Sequence, residues 1–167
     1  MTVFTTQRLC IRHITSADAE DLSQVLSDPH VMKYSTQGVH SQIQISEYIA
    51  NCQRQYALNG YGHWAIYNRV SGEFMGICGL NKHQVDAESL IHIDYRLVKR
   101  HQGNGYATEA TIGLLTLAKK TYHFQAVFAL IDSENKPSVR LVARTGFEYL
   151  KSTDFHGFAI DVYKVSL

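Results

Sequence analysis

Residues 8–13 alternate apolar and polar positions, with Leu9 and Ile11 set against Arg8 and Arg12, which is the period of a half-buried strand. Thr15 and Ser16 then offer capping oxygens. Leu22, Val25 and Leu26 recur at helical spacing until Asp28-Pro29 stops the run. Ile45, Tyr48, Ile49, Cys52 and Tyr56 share one face of a second helix, which ends near Asn59-Gly60. At His63 the period changes to two. Trp64 and Ile66 oppose Ala65 and Tyr67, Ser71-Gly72 supplies a tight turn, and residues 74–80 return as the partner strand. Residues 89–98 predict another strand, with Ile91, Ile93, Tyr95 and Leu97 on one face and His92, Asp94 and Arg96 on the other. Polar side chains on a central strand need partners, because burial without them is costly.

The second half holds a strand, loop, helix, strand unit. A glycine-containing loop over 99–105 leads into a helix over 106–122, whose stripe is Ala107, Ala110, Leu114, Leu117 and Ala118. The unbroken apolar run 126–131 reads as a buried strand. Pro137 suits a first helical turn, and Gly146 ends the short helix that Leu141 and Val142 bury. Residues 147–151 and 158–165 close the chain as two more strands. With no linker, repeat or low-complexity segment, residues 1–167 form one layered α+β domain.

Composition narrows the function by exclusion. A chain of 167 residues, 45% hydrophobic and 19% charged, has the size and balance of one packed domain. Sixteen Lys and Arg against 15 Asp and Glu leave a formal charge of +1, too little for bulk attraction to nucleic acid or anionic lipid. Any anion site must therefore be local. Cys10, Cys52 and Cys78 have no C-x-x-C spacing, which excludes a disulfide framework or zinc ribbon and fits a reducing, cytoplasmic setting. The nine histidines lack ligand spacing, so no metal is expected. No run approaches the roughly 18 apolar residues of a membrane span.

The most informative stretch is Arg100-His101-Gln102-Gly103-Asn104-Gly105-Tyr106-Ala107-Thr108-Glu109-Ala110, where two glycines stand between a strand and a helix N-terminus. Glycine permits positive φ and close backbone approach, so successive N–H groups can face one anion, and the helix dipole adds positive charge. A diphosphate suits such a turn. The dinucleotide fingerprint needs a small residue where Thr108 stands, an acidic residue about 20 positions on, and a place in the opening βαβ unit. None of these is met, and the Gly-Lys-Ser/Thr of a P-loop is absent.

Gln102-x-x-Gly105-x-Ala107 instead resembles the Q/R-x-x-G-x-G/A signature of the GNAT superfamily of acetyltransferases. The string from Gly103 to Ala110 is similar to the G-x-G-Y-A-T-E-A stretch of its RimJ/RimL branch, whose members acetylate protein N-termini or small amines. Thr5-x-x-Arg8-Leu9-x-Ile11-Arg12, Gly76-x-x-Gly79, Asn135-x-x-Ser138 and Gly146-Phe147 follow in family order, so the resemblance covers nearly the whole chain. It implies a mixed, mostly antiparallel, twisted sheet of about seven strands with helices on both faces and splayed central strands. It also implies acetyl-CoA as co-substrate, an amine acceptor, and the homodimers that such enzymes often form.

Laid on this chain, the resemblance assigns the coenzyme diphosphate to the amides of Gln102, Gly103, Asn104, Gly105, Tyr106 and Ala107. Pantetheine falls to the backbone of Leu97 and Val98 and to Asn135. Direct acetyl transfer needs a neutral amine, a donor for the developing oxyanion, and a proton for the thiolate. The N–H near Val98 is the oxyanion candidate. Val142 stands where many members carry a proton-donating tyrosine, so the chain departs from that pattern. Ser138 takes the role instead, as in RimL-like members. Asp94 and His92, on the strand face leading into the loop, are the candidate bases. A non-catalytic acyl-CoA-binding domain is the competing reading.

Overall fold

Side-chain caps and left-handed glycines set the element boundaries in this computed structural model, which describes residues 1–167. Two strands open the chain, β1 (Thr2–Thr5) and β2 (Leu9–His13). Thr15 and Asp18 form a capping box around a 3₁₀ turn, Ser16–Asp18, that runs into α1 (Ala19–Leu26). Ser41 and Gln44 cap α2 (Gln42–Asn59), and Gly60 at φ 77° ends it. Next come β3 (His63–Asn68), β4 (Phe74–Val85) and β5 (Glu88–Leu97). A 3₁₀ turn over Lys99–His101 precedes α3 (Tyr106–Lys120). The chain finishes with β6 (Ala126–Ile131), α4 (Lys136–Arg144), β7 (Glu148–Phe155) and β8 (Phe158–Ser166).

All eight strands join one sheet in the order β1-β2-β3-β4-β5-β6-β8-β7. Every neighbouring pair is antiparallel except β5 with β6. This is the mixed, mostly antiparallel sheet that the motifs imply, with eight strands in place of seven. The additional strand is the four-residue β1. The strand over 74–80 continues to Val85, because Asn81–Gln84, which carry no apolar alternation, still pair with β5. Asp86 and Ala87, both at positive φ, turn that hairpin.

Each face of the sheet has its own core. Trp64, Ile66, Cys78, Ile93 and Leu97 pack with Ala110 and Leu114 of α3 and Leu141 and Val142 of α4. Ala65, Ile77 and Val98 pack on the other side with Leu22 and Val25 of α1 and Ile45 and Ile49 of α2. Both faces being covered explains why Trp64, Ala65 and Ile66 are all fully buried although the sequence alternates. No helix is long and apolar enough to cross a membrane.

Candidate functional site

The strands β5 and β6 run side by side but pair at a single position, His92 with Phe128, and part towards their C-terminal ends. Parallel strands without a shared ladder leave main-chain groups and space between them. A cavity of about 880 Å³ lies on the α3 and α4 side of that gap, lined by Tyr95, Leu97, Gly103, Gly105 and Ser138 among others. On the α2 side a second cavity, about 760 Å³, is lined by Tyr48, His63, Asn81 and His92. Tyr34, Asp94, Arg96, Leu130 and Asp132 line both, so the two cavities meet in the gap. Tyr34 donates its hydroxyl hydrogen to the carbonyl of Glu134 at 3.1 Å, tying the loop before α2 across the opening.

The glycine loop has the shape expected of an anion cradle. Gly103 and Gly105 sit at φ 79° and 81°, and Gly105 occupies the N-cap of α3. A Cβ on Gly103 would meet no atom within 4 Å. The side chain of Asn104 is turned inward, donating to the carbonyl of Gln102 at 3.1 Å, so its part is to shape the loop. Behind it, Arg8 donates to the Asn104 carbonyl at 3.0 Å and stacks 4.2 Å from the Tyr106 ring centre. Lys33, Arg140 and Arg144 also line this cavity. By contrast, Arg100 and His101 face Glu73 at 2.8 and 3.3 Å.

One sequence expectation needs correction. The N–H of Val98 donates to the carbonyl of Met75 at 2.9 Å, and its side chain is buried with α1 and α2. It is therefore no free oxyanion donor. In an antiparallel strand, successive residues point their N–H and C=O to opposite edges, so Leu97 turns both towards β6. The Gln102 side chain takes the Leu97 carbonyl at 3.1 Å, which leaves the Leu97 N–H facing the gap.

The polar face of β5 is satisfied through β3 and β4. In register, His63, Gly79 and Asp94 stand abreast across three strands. Gly79 has no side chain, so His63 Nε2 reaches Asp94 Oδ2 at 3.0 Å. A Cβ on Gly79 would come within 2.7 Å of the His63 Cα. Asn81 Nδ2 lies 3.1 Å from the same carboxylate oxygen and 2.6 Å from His63 Nε2. The Tyr48 hydroxyl is 2.7 Å from His63 Nδ1, and Tyr56 donates to the His63 carbonyl. Burial alone would raise Asp94, but His92, His63 and Arg96 together hold it well below the usual carboxylate range.

His92 and Asp94 share a face as expected, with His92 Nδ1 3.7 Å from Asp94 Oδ2. Burial dominates at His92, pushing it down to about 4 against the opposing pull of Asp94. Its Nε2 has no hydrogen-bond partner. A ring that stays neutral and buried is less suited to take a proton than the sequence suggests. His63 was not singled out by sequence, since its meeting with Asp94 depends on strand register and on Gly79.

Across the gap, Asn135 and Ser138 line the loop-side cavity. Asn135 Oδ1 accepts the Ser138 N–H at 3.4 Å and so caps α4, with Pro137 in its first turn. Tyr95 lines the same cavity as Ser138, and burial pushes its hydroxyl up to about 12 against the opposing effect of Ser138.

Comparison with known proteins identifies the family and the fold. The family model described as acetyltransferase (GNAT) domain matches residues 8–148. Uncharacterized protein YkkB of Bacillus subtilis (strain 168) is 32% identical, over 98% of this chain and 95% of its own length. Uncharacterized N-acetyltransferase p20 of Bacillus licheniformis is 29% identical, over 97% and 93%. Among solved structures, an acetyltransferase (GNAT family) from Bacillus anthracis superposes with a TM-score of 0.82 at 23% identity, covering 99% of this chain and 98% of that one. RimL, a ribosomal alpha-N-protein acetyltransferase solved in complex with coenzyme A, gives 0.81 at 16% identity, covering 100% and 98%. The family match spans the glycine loop, the loop-side cavity and the β5–β6 gap, and the chain belongs to the acetyltransferase (GNAT) domain family.

Proposed function

We propose that this protein transfers the acetyl group of acetyl-CoA directly to a primary amine, either a protein N-terminus or a small molecule. The observation that carries the reading is the pair of cavities that join at Asp94 through the β5–β6 gap. One side offers a cradle of main-chain amides at a helix N-terminus, with Lys33, Arg140 and Arg144 nearby, which fits a phosphorylated thioester carrier. The other side offers a carboxylate to receive an ammonium. The two substrates would enter from opposite faces and meet in the gap.

In this reading the amides of 102–107 hold the diphosphate, and Asn135 with the backbone of Leu97 orients pantetheine. The Leu97 N–H supports the oxyanion as the amine attacks the acetyl carbon. Asp94 binds the acceptor ammonium and removes its proton. The Ser138 hydroxyl, which shares its cavity with Tyr95, delivers a proton to the departing thiolate.

Calorimetry with acetyl-CoA, followed by a screen of peptide N-termini, polyamines and amino acids for release of coenzyme A thiol, tests the proposal. Binding with turnover of at least one amine class is the expected result. Binding without turnover on any of them would leave a non-catalytic acyl-CoA-binding domain, and no binding would remove the reading altogether.

A further inference from the structure

We infer that His63 is a positioning residue that stores the proton leaving the acceptor amine, receiving it through Asp94. The inference rests on the transfer reaction proposed above and names a member of its machinery that the motifs do not contain.

The hydrogen-bond partners of the ring carry it. Nε2 has two neighbours of opposite character, the Asn81 amide nitrogen at 2.6 Å and the Asp94 carboxylate at 3.0 Å. A neutral ring protonated at Nδ1 accepts at Nε2 from Asn81. A protonated ring donates from Nε2 to Asp94, while Asn81 keeps its own bond to that carboxylate at 3.1 Å. Nε2 thus has a partner in either state, the Asn81 amide drawing back from the protonated nitrogen onto its bond with Asp94. At the far side, Nδ1 lies 2.7 Å from the Tyr48 oxygen, which can accept from a protonated Nδ1. An imidazolium would therefore have an acceptor at each nitrogen.

The surrounding charges agree. Asp94 and His92 stand beside the ring on β5, His83 on β4 and Tyr48 on α2, with Arg96 and Glu47 on the wall of the same cavity. Burial lowers both His83 and His92, so neither competes strongly for the proton at neutral pH. Asp94 alone is a poor final acceptor, being held strongly ionised. As a relay it needs only to bind the ammonium and pass a proton over 3.0 Å.

One N–H bond of the ammonium breaks, its electron pair stays on nitrogen, and an N–H bond forms at His63 Nε2. The freed amine attacks the acetyl carbon and the carbon–sulfur bond breaks. The second amine proton, shed after attack, balances the proton taken up by the thiolate. His63 then returns its proton to solvent through the cavity.

The test compares wild type with His63→Gln and Tyr48→Phe, using the amine found by the screen, over a pH series. At neutral pH we expect His63→Gln to lower kcat by about 100-fold, with the acetyl-CoA dissociation constant unchanged by calorimetry. The defect should shrink as pH approaches the ammonium pKa of about 10, where the amine is free without a relay. Tyr48→Phe, which removes one acceptor from the charged ring, should show a smaller defect with the same pH trend. A wild type that turns over no amine sinks the transfer reaction and the relay with it. An active wild type whose His63→Gln defect is absent, or equally large at all pH values, sinks the relay alone. Should His63→Gln not fold, the Tyr48→Phe profile decides by the same criterion.

Discussion

Arg8 and Glu109, 101 residues apart in sequence, meet at 2.6 Å behind the glycine loop. The same carboxylate accepts the Arg8 main-chain N–H at 2.8 Å and the Thr6 hydroxyl. Arg8 then reaches on to the Asn104 carbonyl. The edge of the sheet, the first turn of α3 and the loop are thereby locked together. Because the carboxylate is paired, it does not repel an anion at the end of α3 where the dipole attracts one.

Removing this clamp should loosen the loop without touching the reacting groups. We expect Arg8→Ala and Glu109→Gln each to raise the KM for acetyl-CoA several-fold, about 1 kcal/mol of binding, while kcat changes little. Steady-state kinetics with the acceptor saturating reads this directly. An unchanged KM in both variants would show that the loop holds its shape unaided.

Two glycines in the site should respond differently to the same methyl group. At Gly79 the methyl would be driven into the Gly62 carbonyl and the His63 backbone. Neither is a flexible side chain, so Gly79→Ala should cost about 3 kcal/mol or more, or fail to fold. At Gly103 nothing lies within 4 Å, and only the left-handed conformation is penalised. Gly103→Ala should therefore fold, lose about 1 kcal/mol, and bind acetyl-CoA more weakly because its methyl enters the cradle. Urea melts and calorimetry on the two variants check the contrast.

That contrast also shows what the sequence could reveal. The glycine loop was legible because its work is done by consecutive residues, whose spacing is itself the signal. The helices were legible through Gly60, Pro137 and the apolar stripes between them. The shared face of His92, Asp94 and Arg96 followed from strand alternation. His63 was out of reach because its partner is set by the register of three strands, which a single sequence does not encode. Lys33, Arg140 and Arg144 were missed for a related reason. Each is an isolated cation on a different element, and only the fold gathers them at one cavity. Near Val98 the sequence pointed to the strand end, and only hydrogen-bond partners reveal that its own N–H is taken while that of Leu97 is not.

Acid sensitivity of the fold should begin at His92. Its pKa is about 4 in the fold, against about 6.5 for an unperturbed imidazole. Between those values the unfolded chain binds the extra proton, so stability is full above about pH 6.5 and falls as pH drops towards 4. The loss from this one ring is roughly 3 kcal/mol. Urea unfolding midpoints over that range should fall steeply in wild type and less steeply in His92→Gln. His13 and His83 are lowered too, and leave the variant a residual slope. Equal slopes in the two proteins would show that His92 is charged in the fold.

The thiolate side of the reaction makes the last prediction. Ser138 has no tyrosine beside it on α4, since Val142 is fully buried in the core. Tyr95, from β5, lines the same cavity as Ser138 and is the nearest candidate for that place. A thiol pKa of about 8.5 makes coenzyme A a fair leaving group, so a donor helps without being indispensable. Ser138→Ala should lower kcat about 10-fold, within the lower range for general acid catalysis. Tyr95→Phe should have a smaller effect, because Ser138 keeps its own proton. If the two hydroxyls act as one chain, the double variant should be no slower than Ser138→Ala alone. Multiplying defects would mean that Tyr95 serves the reaction independently of Ser138, and a Ser138→Ala enzyme with wild-type kcat would remove the serine from the chemistry.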